Sequence, residues 1–197
     1  MNNDKIININ SITSKLNEEE KNYRQKVMDE ILKTNMPYSP IDEKEIEISN
    51  RLIEKNVIDT IPIKSIYPIS AIKTDKKVIL KNTNRVGYAM CGIDALGFFY
   101  TFNEPIEIVA ECAYSKKTII INIDKDGNIV TDDKDIVFLY KDLNKSNTWS
   151  CCCCNIMHIF NDKDSFDKWC DLNLSSLDDI YCLNLEEANK LSKNLFS

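Results

Sequence analysis

Residues 91–102 read CGIDALGFFYTF, and this composition predicts a buried helix. Ala95, Leu96, Phe98 and Phe99 are apolar, and residues that break a helix are few. Pro105 is expected to end the helix, because proline cannot donate the next backbone hydrogen bond. A helix that is apolar on most sides needs other elements to cover it, so the flanking sequence should supply a sheet.

The sequence after this helix alternates strand patterns with helix patterns. Asp126 and Gly127 mark a turn, and Asp162 is a suitable cap for a helix that runs to Cys170. Leu185–Phe196 is expected to form a closing helix. Strands are predicted at Ile106–Ala113, Lys117–Asp124, Ile136–Tyr140 and Ile180–Leu183, with a central strand at Trp149–Phe160.

The sequence before residue 85 predicts two helices and a hairpin, the outline of a winged-helix-like unit. The helices are expected at residues 17–34, capped by Asn17, and at residues 41–56. The hairpin is expected from strands 70–74 and 77–82. The fold class is therefore α+β, with a flexible N-terminus (1–16), a winged-helix-like unit (17–84) and a domain of mixed or antiparallel sheet with flanking helices (85–197).

The composition excludes several classes of protein. The chain has 197 residues, 43% of them hydrophobic, which is enough for a core. Its net charge is −6 and its first helices are acidic, so a nucleic-acid partner is not expected. No apolar run is long enough to span a membrane, and no signal peptide is recognised, which favours a cytoplasmic protein. Only four glycines occur and no phosphate-binding loop, so no nucleotide cofactor is expected.

Eight cysteines are the unusual feature of the composition, and four of them are consecutive, Cys151–Cys154. Neighbouring cysteines make poor disulfides, so free thiols in a reducing compartment are expected. Thiolates prefer soft metals. In a strand, Cys152 and Cys154 would share one face, so four thiols would not converge on one zinc ion. His158 is the only histidine, which excludes a site built from several histidines.

Cys91 and Asp94 form the second candidate group. A cysteine that opens a helix lies near the positive end of the helix dipole, which favours its thiolate. Asp94 follows one turn later, on the same side, where a carboxylate can take a proton from a thiol and return it. The alternatives are a small buried cysteine and an aspartate that only caps the helix.

Three segments together resemble the alkylmercury lyase family, MerB. Tyr88–Phe98 resembles the active-site helix of that family, and Ile108–Ala113 resembles the following strand with its structural cysteine, here Cys112. Cys153–Phe160 resembles the second active-site segment, which in the family reads roughly Phe-Cys-Cys-His-x-His-Phe-Phe. Phe166–Trp169 resembles the helix that follows. The resemblance covers residues 85–197, and the N-terminal part matches only in outline.

The resemblance implies a lyase that cleaves carbon–mercury bonds by protonolysis, with residues 85–197 as its catalytic domain. Alignment on His158 implies that Cys91, Asp94 and Cys154 are the catalytic residues, and that they hold the metal together with Cys153. The substrate would be a small organometallic compound and the bound product Hg(II), with no cofactor required. Cellular thiols or a mercuric reductase would accept the metal, without a nucleic-acid or membrane partner.

The sequence differs from the family at two positions that are expected to line the site. Met90 stands where the family has tryptophan, and Asn155 stands where it has a second adjacent cysteine. The extra cysteines could relay metal, or Cys152 or Cys153 could be the working thiol. Three alternatives therefore stay open: a lyase for other organometals such as organotin, a non-enzymatic soft-metal trap or chaperone, and a winged-helix regulator that senses metal.

Overall fold

A computed structural model describes residues 9–145, 149 and 153–197 of the chain. Within these residues it contains five helices and ten strands, and the α+β class is confirmed. The helices are α1 (Glu18–Thr34), α2 (Glu43–Glu54), α3 (Gly92–Phe102), α4 (Lys163–Asn173) and α5 (Leu185–Phe196). The strands are β1 (Ser65–Ile66), β2 (Ile69–Ser70), β3 (Lys76–Leu80), β4 (Arg85–Ala89), β5 (Ile106–Glu111), β6 (Thr118–Ile123), β7 (Ile129–Val130), β8 (Val137–Lys141), β9 (Ile159–Phe160) and β10 (Ile180–Asn184).

The predicted caps set where several helices begin. The Asn17 side chain accepts a hydrogen bond from the Glu20 N–H, and the Glu20 side chain returns one to the Asn17 N–H, which makes a capping box. Asp162 caps α4 as expected, through the Ser165 N–H. These bonds satisfy amide groups that have no partner inside the helix, and they confirm the predicted helix starts.

The strands form two antiparallel sheets. The larger has the order β1-β2-β4-β3-β5-β6-β7, and the smaller has the order β10-β8-β9. β3 and β4 form a hairpin with Val78 opposite Gly87, and β3 also pairs with β5. The predicted boundary between residues 84 and 85 lies in this hairpin, so the larger sheet takes strands from both sides of it.

Helix α3 lies between the two sheets. It contacts β3, β4 and β5 of the larger sheet and β8 of the smaller one, and every residue from Gly92 to Phe99 is buried. On its remaining side α3 packs against α5. A side-chain carbon at Gly97 would lie 2.5 Å from the Phe196 ring, so a glycine is needed where the two helices meet. The prediction of a buried helix is confirmed for Gly92–Phe99, whereas residues 100–102 are partly exposed.

Some sequence predictions were wrong. The expected central strand at Trp149–Phe160 is reduced to Ile159–Phe160, and Cys153 and Cys154 lie in a helical turn instead. The expected strand at residues 70–74 ends at Ser70, because the Ser70 side chain bonds the backbone of Ile72 and turns the chain.

The N-terminal segment also differs from expectation in its described part. Residues 9–16 were expected to be flexible, yet Ile9, Ile12 and Leu16 are buried. The Ile12 N–H donates a hydrogen bond of 2.9 Å to the carbonyl oxygen of Leu195 in α5. Three apolar side chains that are removed from water explain why this segment packs on the core. Among the described residues, no helix has the length and apolar character needed to cross a membrane.

Candidate active site

The first part of the site is the start of helix α3. Cys91 is the N-cap residue with extended backbone, and its Sγ accepts a hydrogen bond from the Asp94 N–H at 3.4 Å. The sulfur therefore replaces the oxygen that caps most helices. Asp94 is the third residue of the helix, so its side chain returns to the side of Cys91. The predicted placement of both groups on one side of the helix start is confirmed.

Cys154 is brought to this point by a short helical turn. The N–H groups of Ile156 and Met157 both donate to the carbonyl oxygen of Cys153, which closes the turn around Cys154. The Met157 carbonyl then accepts a hydrogen bond of 2.8 Å from the Gly92 N–H. This backbone bond joins the turn to the start of α3 and fixes the second thiol beside the first.

The three side chains form one compact cluster. One ligand atom from each of Cys91, Asp94 and Cys154 lies within 4.8 Å of the others. The residues are 1%, 2% and 5% exposed, so the cluster is almost sealed from water. The cavity at the cluster has a volume of about 10 Å³, room for roughly one water molecule. Its other walls are Tyr67, Ile93, Leu143, Trp149, Met157 and Leu195.

Burial sets the protonation of the thiols. It raises the pKa of Cys91 well above its ordinary value, and the neighbouring Cys154 raises it further, whereas hydrogen bonds from Asp94 oppose the change. The hydrogen bond with Cys91 lowers the pKa of Cys154, but burial and the Asp94 charge outweigh it and the pKa is raised. Burial therefore favours the protonated form of Cys91, in the direction opposite to the thiolate that the helix start was expected to favour.

Asp94 is also held in its neutral form. Burial and the adjacent Cys91 raise its pKa well above the ordinary value of 3.8, although the charge of Lys76 acts in the opposite direction. Lys76 is itself buried and pairs with Asp75 at 2.6 Å, so part of its charge is already neutralised. One carboxyl oxygen of Asp94, Oδ2, is buried without a hydrogen-bond partner among the described residues. The carboxyl group can therefore deliver a proton into the cluster.

Replacing Asp94 by Asn should change how stability depends on pH. A carboxyl group whose pKa is raised by folding binds more protons in the folded chain, so it destabilises the fold as pH rises above about 3.8. Asn carries no titrating group. We therefore expect the free energy of unfolding of Asp94→Asn, relative to the wild type, to increase as pH rises from 4 toward the folded pKa.

Urea unfolding at several pH values measures this difference. The control is Asp164→Asn, which changes an exposed aspartate in the first turn of α4. Because its side chain is exposed, this substitution should change stability by less than about 1 kcal/mol at every pH measured. A curve for Asp94→Asn that runs parallel to that of the wild type would show that the Asp94 carboxyl is ionised in the folded protein.

A wider cleft reaches the cluster from outside. It has a volume of about 250 Å³, and its walls include Lys64, Ser70, Met90 and Asn155. Cys154 lines both this cleft and the inner cavity, whereas Cys91 and Asp94 line only the inner one. Cys154 is therefore the member of the cluster that lies between the two spaces. Met90 and Asn155, the departures noted in the sequence, both lie on the outer side.

The other predicted residues lie around the cluster. Cys153 is fully buried beside Cys154 but is not among the three residues whose ligand atoms converge. Its role as a metal ligand stays a prediction, and Cys151 and Cys152 lie outside the described residues. His158 packs edge-on against Trp169 at 4.9 Å, and burial lowers its pKa to about 4, so the ring is neutral. His158 therefore packs beside α4 as a neutral ring.

Sequence reasoning missed Tyr67 and Leu195, which line the cavity from distant parts of the chain. Tyr67 lies between β1 and β2, and its hydroxyl is 3.7 Å from the Cys154 Sγ. Burial raises the pKa of Tyr67, and the nearby acidic groups raise it further, so the phenol keeps its proton. No motif marks either residue, because each reaches the site only through the tertiary fold.

Comparisons with known proteins agree with the fold and with the motifs. The chain resembles a crystal structure of the mercury-bound form of MerB2, with a TM-score of 0.73 and 17% identity over 94% of this chain and 95% of that one. A comparison with curated proteins finds no match. The family model for MerB, alkylmercury lyase, matches residues 69–197, which is more than half of the chain and includes all three clustered residues. The chain therefore belongs to the alkylmercury lyase family, whose members are carbon–metal lyases.

Proposed function

We propose that this protein cleaves the carbon–mercury bond of small organomercurials by protonolysis, with Cys91, Cys154 and Asp94 as the catalytic residues. The observation that carries the proposal is the buried cluster in which two thiols and one carboxyl group place their ligand atoms within 4.8 Å of one another. Two soft sulfur ligands suit mercury, and a neutral carboxyl group suits the delivery of a proton to carbon.

The reaction balances with the groups that the cluster contains. The substrate is R–Hg–X, where X is a thiolate or halide. The sulfur of one cysteine binds mercury and displaces X, which leaves with the thiol proton as HX. The second cysteine then binds the same mercury. The neutral carboxyl group of Asp94 gives its proton to the carbon, and the carboxylate that results takes the proton of the second thiol. The products are R–H, HX and Hg(II) held by two sulfurs, with no change in oxidation state.

Protonation of the thiols in the free protein fits this sequence. Burial raises the pKa of both Cys91 and Cys154, so the cluster holds its protons until a substrate arrives. Mercury bound to sulfur withdraws charge and so favours release of the thiol proton. Asp94 lies beside both sulfurs, so once it has given its own proton to the carbon, its carboxylate can receive that thiol proton without any contribution from bulk water.

The outer cleft is the proposed route for substrate and product. The inner cavity of about 10 Å³ is smaller than an organomercurial, so its side chains must move when substrate enters. Cys154 meets the outer cleft, so we propose it as the sulfur from which mercury is passed on. A cellular thiol or a mercuric reductase would take the metal there, and the protein itself would need no organic cofactor.

The test is hydrocarbon release from methylmercury in the presence of excess thiol. Methane in the headspace should accumulate over many turnovers, measured by gas chromatography. The control variant is Cys182→Ser, because Cys182 is a half-buried thiol outside the cluster and should not be needed. Metal binding without methane, by wild type under conditions where a known lyase works, would contradict the proposal and favour a soft-metal trap. Trimethyltin, assayed in parallel, tests whether another organometal is the preferred substrate.

A further inference from the structure

Tyr67 is fixed at the site from three directions. Its backbone N–H donates to the Val57 carbonyl at 3.2 Å, and its own carbonyl accepts from the Arg24 guanidinium at 2.5 Å. Its ring packs edge-on against Trp149, with 5.8 Å between the ring centroids. Tyr67 is only 4% exposed. The position of its hydroxyl is therefore set by the fold.

The hydroxyl of Tyr67 is directed at a reacting sulfur. It lies 3.7 Å from the Cys154 Sγ, with the thiol as donor, and Tyr67 lines the same cavity as the cluster. A phenol can accept a hydrogen bond from a thiol and can donate one to a thiolate. The contact can therefore persist whether Cys154 is protonated or has lost its proton to Asp94.

We propose that Tyr67 is a positioning residue, which holds the Cys154 sulfur toward Cys91 and Asp94 and donates a hydrogen bond to it when it binds mercury. This inference rests on the proposed function of the cluster. The Cys154 side chain turns about one rotatable bond, and a directed hydrogen bond selects one of its three staggered positions. Tyr67 precedes the residues that the family model matches, 69–197, so the N-terminal part of the chain contributes to the site.

The test compares two tyrosines that each lose a buried hydroxyl. Tyr67→Phe keeps the ring but removes the bond to Cys154, whereas Tyr23→Phe removes a bond of 2.8 Å to Ser49, away from the site. We expect kcat for methane release to fall about tenfold in Tyr67→Phe, with KM within about twofold of wild type. Tyr23→Phe should keep both values. Equal kcat in the two variants would overturn the proposal, as would a loss of folding confined to Tyr67→Phe.

A second measurement does not depend on lyase activity. Hg(II) bound by thiolates absorbs in the ultraviolet, and a hydrogen bond to the sulfur changes the energy of that band. In protein loaded with Hg(II) alone, Tyr67→Phe should shift the band, and the shift should vanish when Cys154→Ser is also present. A shift that persists without the Cys154 sulfur would contradict the proposal. If wild type releases no methane, the proposed function fails, while the band still tests the contact of Tyr67 with Cys154.

Discussion

Asp94→Asn should stop hydrocarbon release from methylmercury while leaving both thiols able to hold Hg(II). Asn has nearly the same shape as Asp but cannot give up a proton to carbon. Asp94 is the one carboxyl group whose oxygen converges with the two sulfurs among the described residues. General acid catalysis by a placed group contributes about 10²–10⁴-fold, so we expect the single-turnover rate to fall by about 10²–10⁴-fold.

Two measurements on the same sample separate chemistry from binding. Methane is followed after mixing protein in excess over methylmercury, and Hg(II) binding is followed by dialysis against inorganic mercury. The Asp164→Asn control, on the exposed face of α4, should keep full activity. A rate within tenfold of wild type for Asp94→Asn would mean that the proton comes from a thiol or from water, and it would remove Asp94 from the mechanism.

Exchange of Cys154 for Ser should abolish turnover, whereas exchange of Cys153 for Ser should leave it within about threefold of wild type. The two cysteines are neighbours and both are buried, so the pair is a matched comparison. Of these two cysteines, Cys154 is the one whose sulfur converges with Cys91 and Asp94. A hydroxyl is a hard ligand that binds mercury poorly, so the Cys154→Ser protein should keep mercury on one sulfur with its carbon bond intact.

Mass spectrometry of the loaded proteins distinguishes these states. Wild type and Cys153→Ser should carry Hg(II) without the methyl group, and Cys154→Ser should carry methylmercury. Both variants are measured well below their unfolding temperatures, since a buried hydroxyl lowers stability. The opposite pattern, with activity lost in Cys153→Ser and kept in Cys154→Ser, would move the second catalytic thiol by one residue.

The part of the site that depends on local geometry could be predicted from sequence. Cys91 and Asp94 are three residues apart, and a helix that begins at Gly92 brings them together whatever surrounds it. The pKa of Cys91 could not be predicted in the same way. The start of the helix is visible in sequence, whereas the burial that raises the pKa of Cys91 depends on both sheets and on α5 together.

The position of Cys154 shows a second limit of prediction from sequence. Cys154 was located through the register of His158, yet the strand expected around it does not form. An apolar run of this length can form either a strand or a compact turn. Here it forms a turn, and the hydrogen bond from the Gly92 N–H to the Met157 carbonyl joins that turn to the start of α3. Tyr67 lies 87 residues from Cys154 in the chain. A single sequence contains no regular spacing from which a contact between such distant residues could be predicted.

The packing of α5 determines when, during folding, the two thiols of the site are shielded from solvent. Leu195 closes one wall of the cavity, and Phe196 packs against Gly97 of α3. During synthesis Cys91 and Cys154 leave the ribosome before Leu195 does, so their sulfurs meet solvent, oxidants and other metals until α5 docks. Protection of the thiols is thus a late event in folding. A chain in which α5 has not docked would leave the thiols of Cys91 and Cys154 open to oxidation and to binding by other metals.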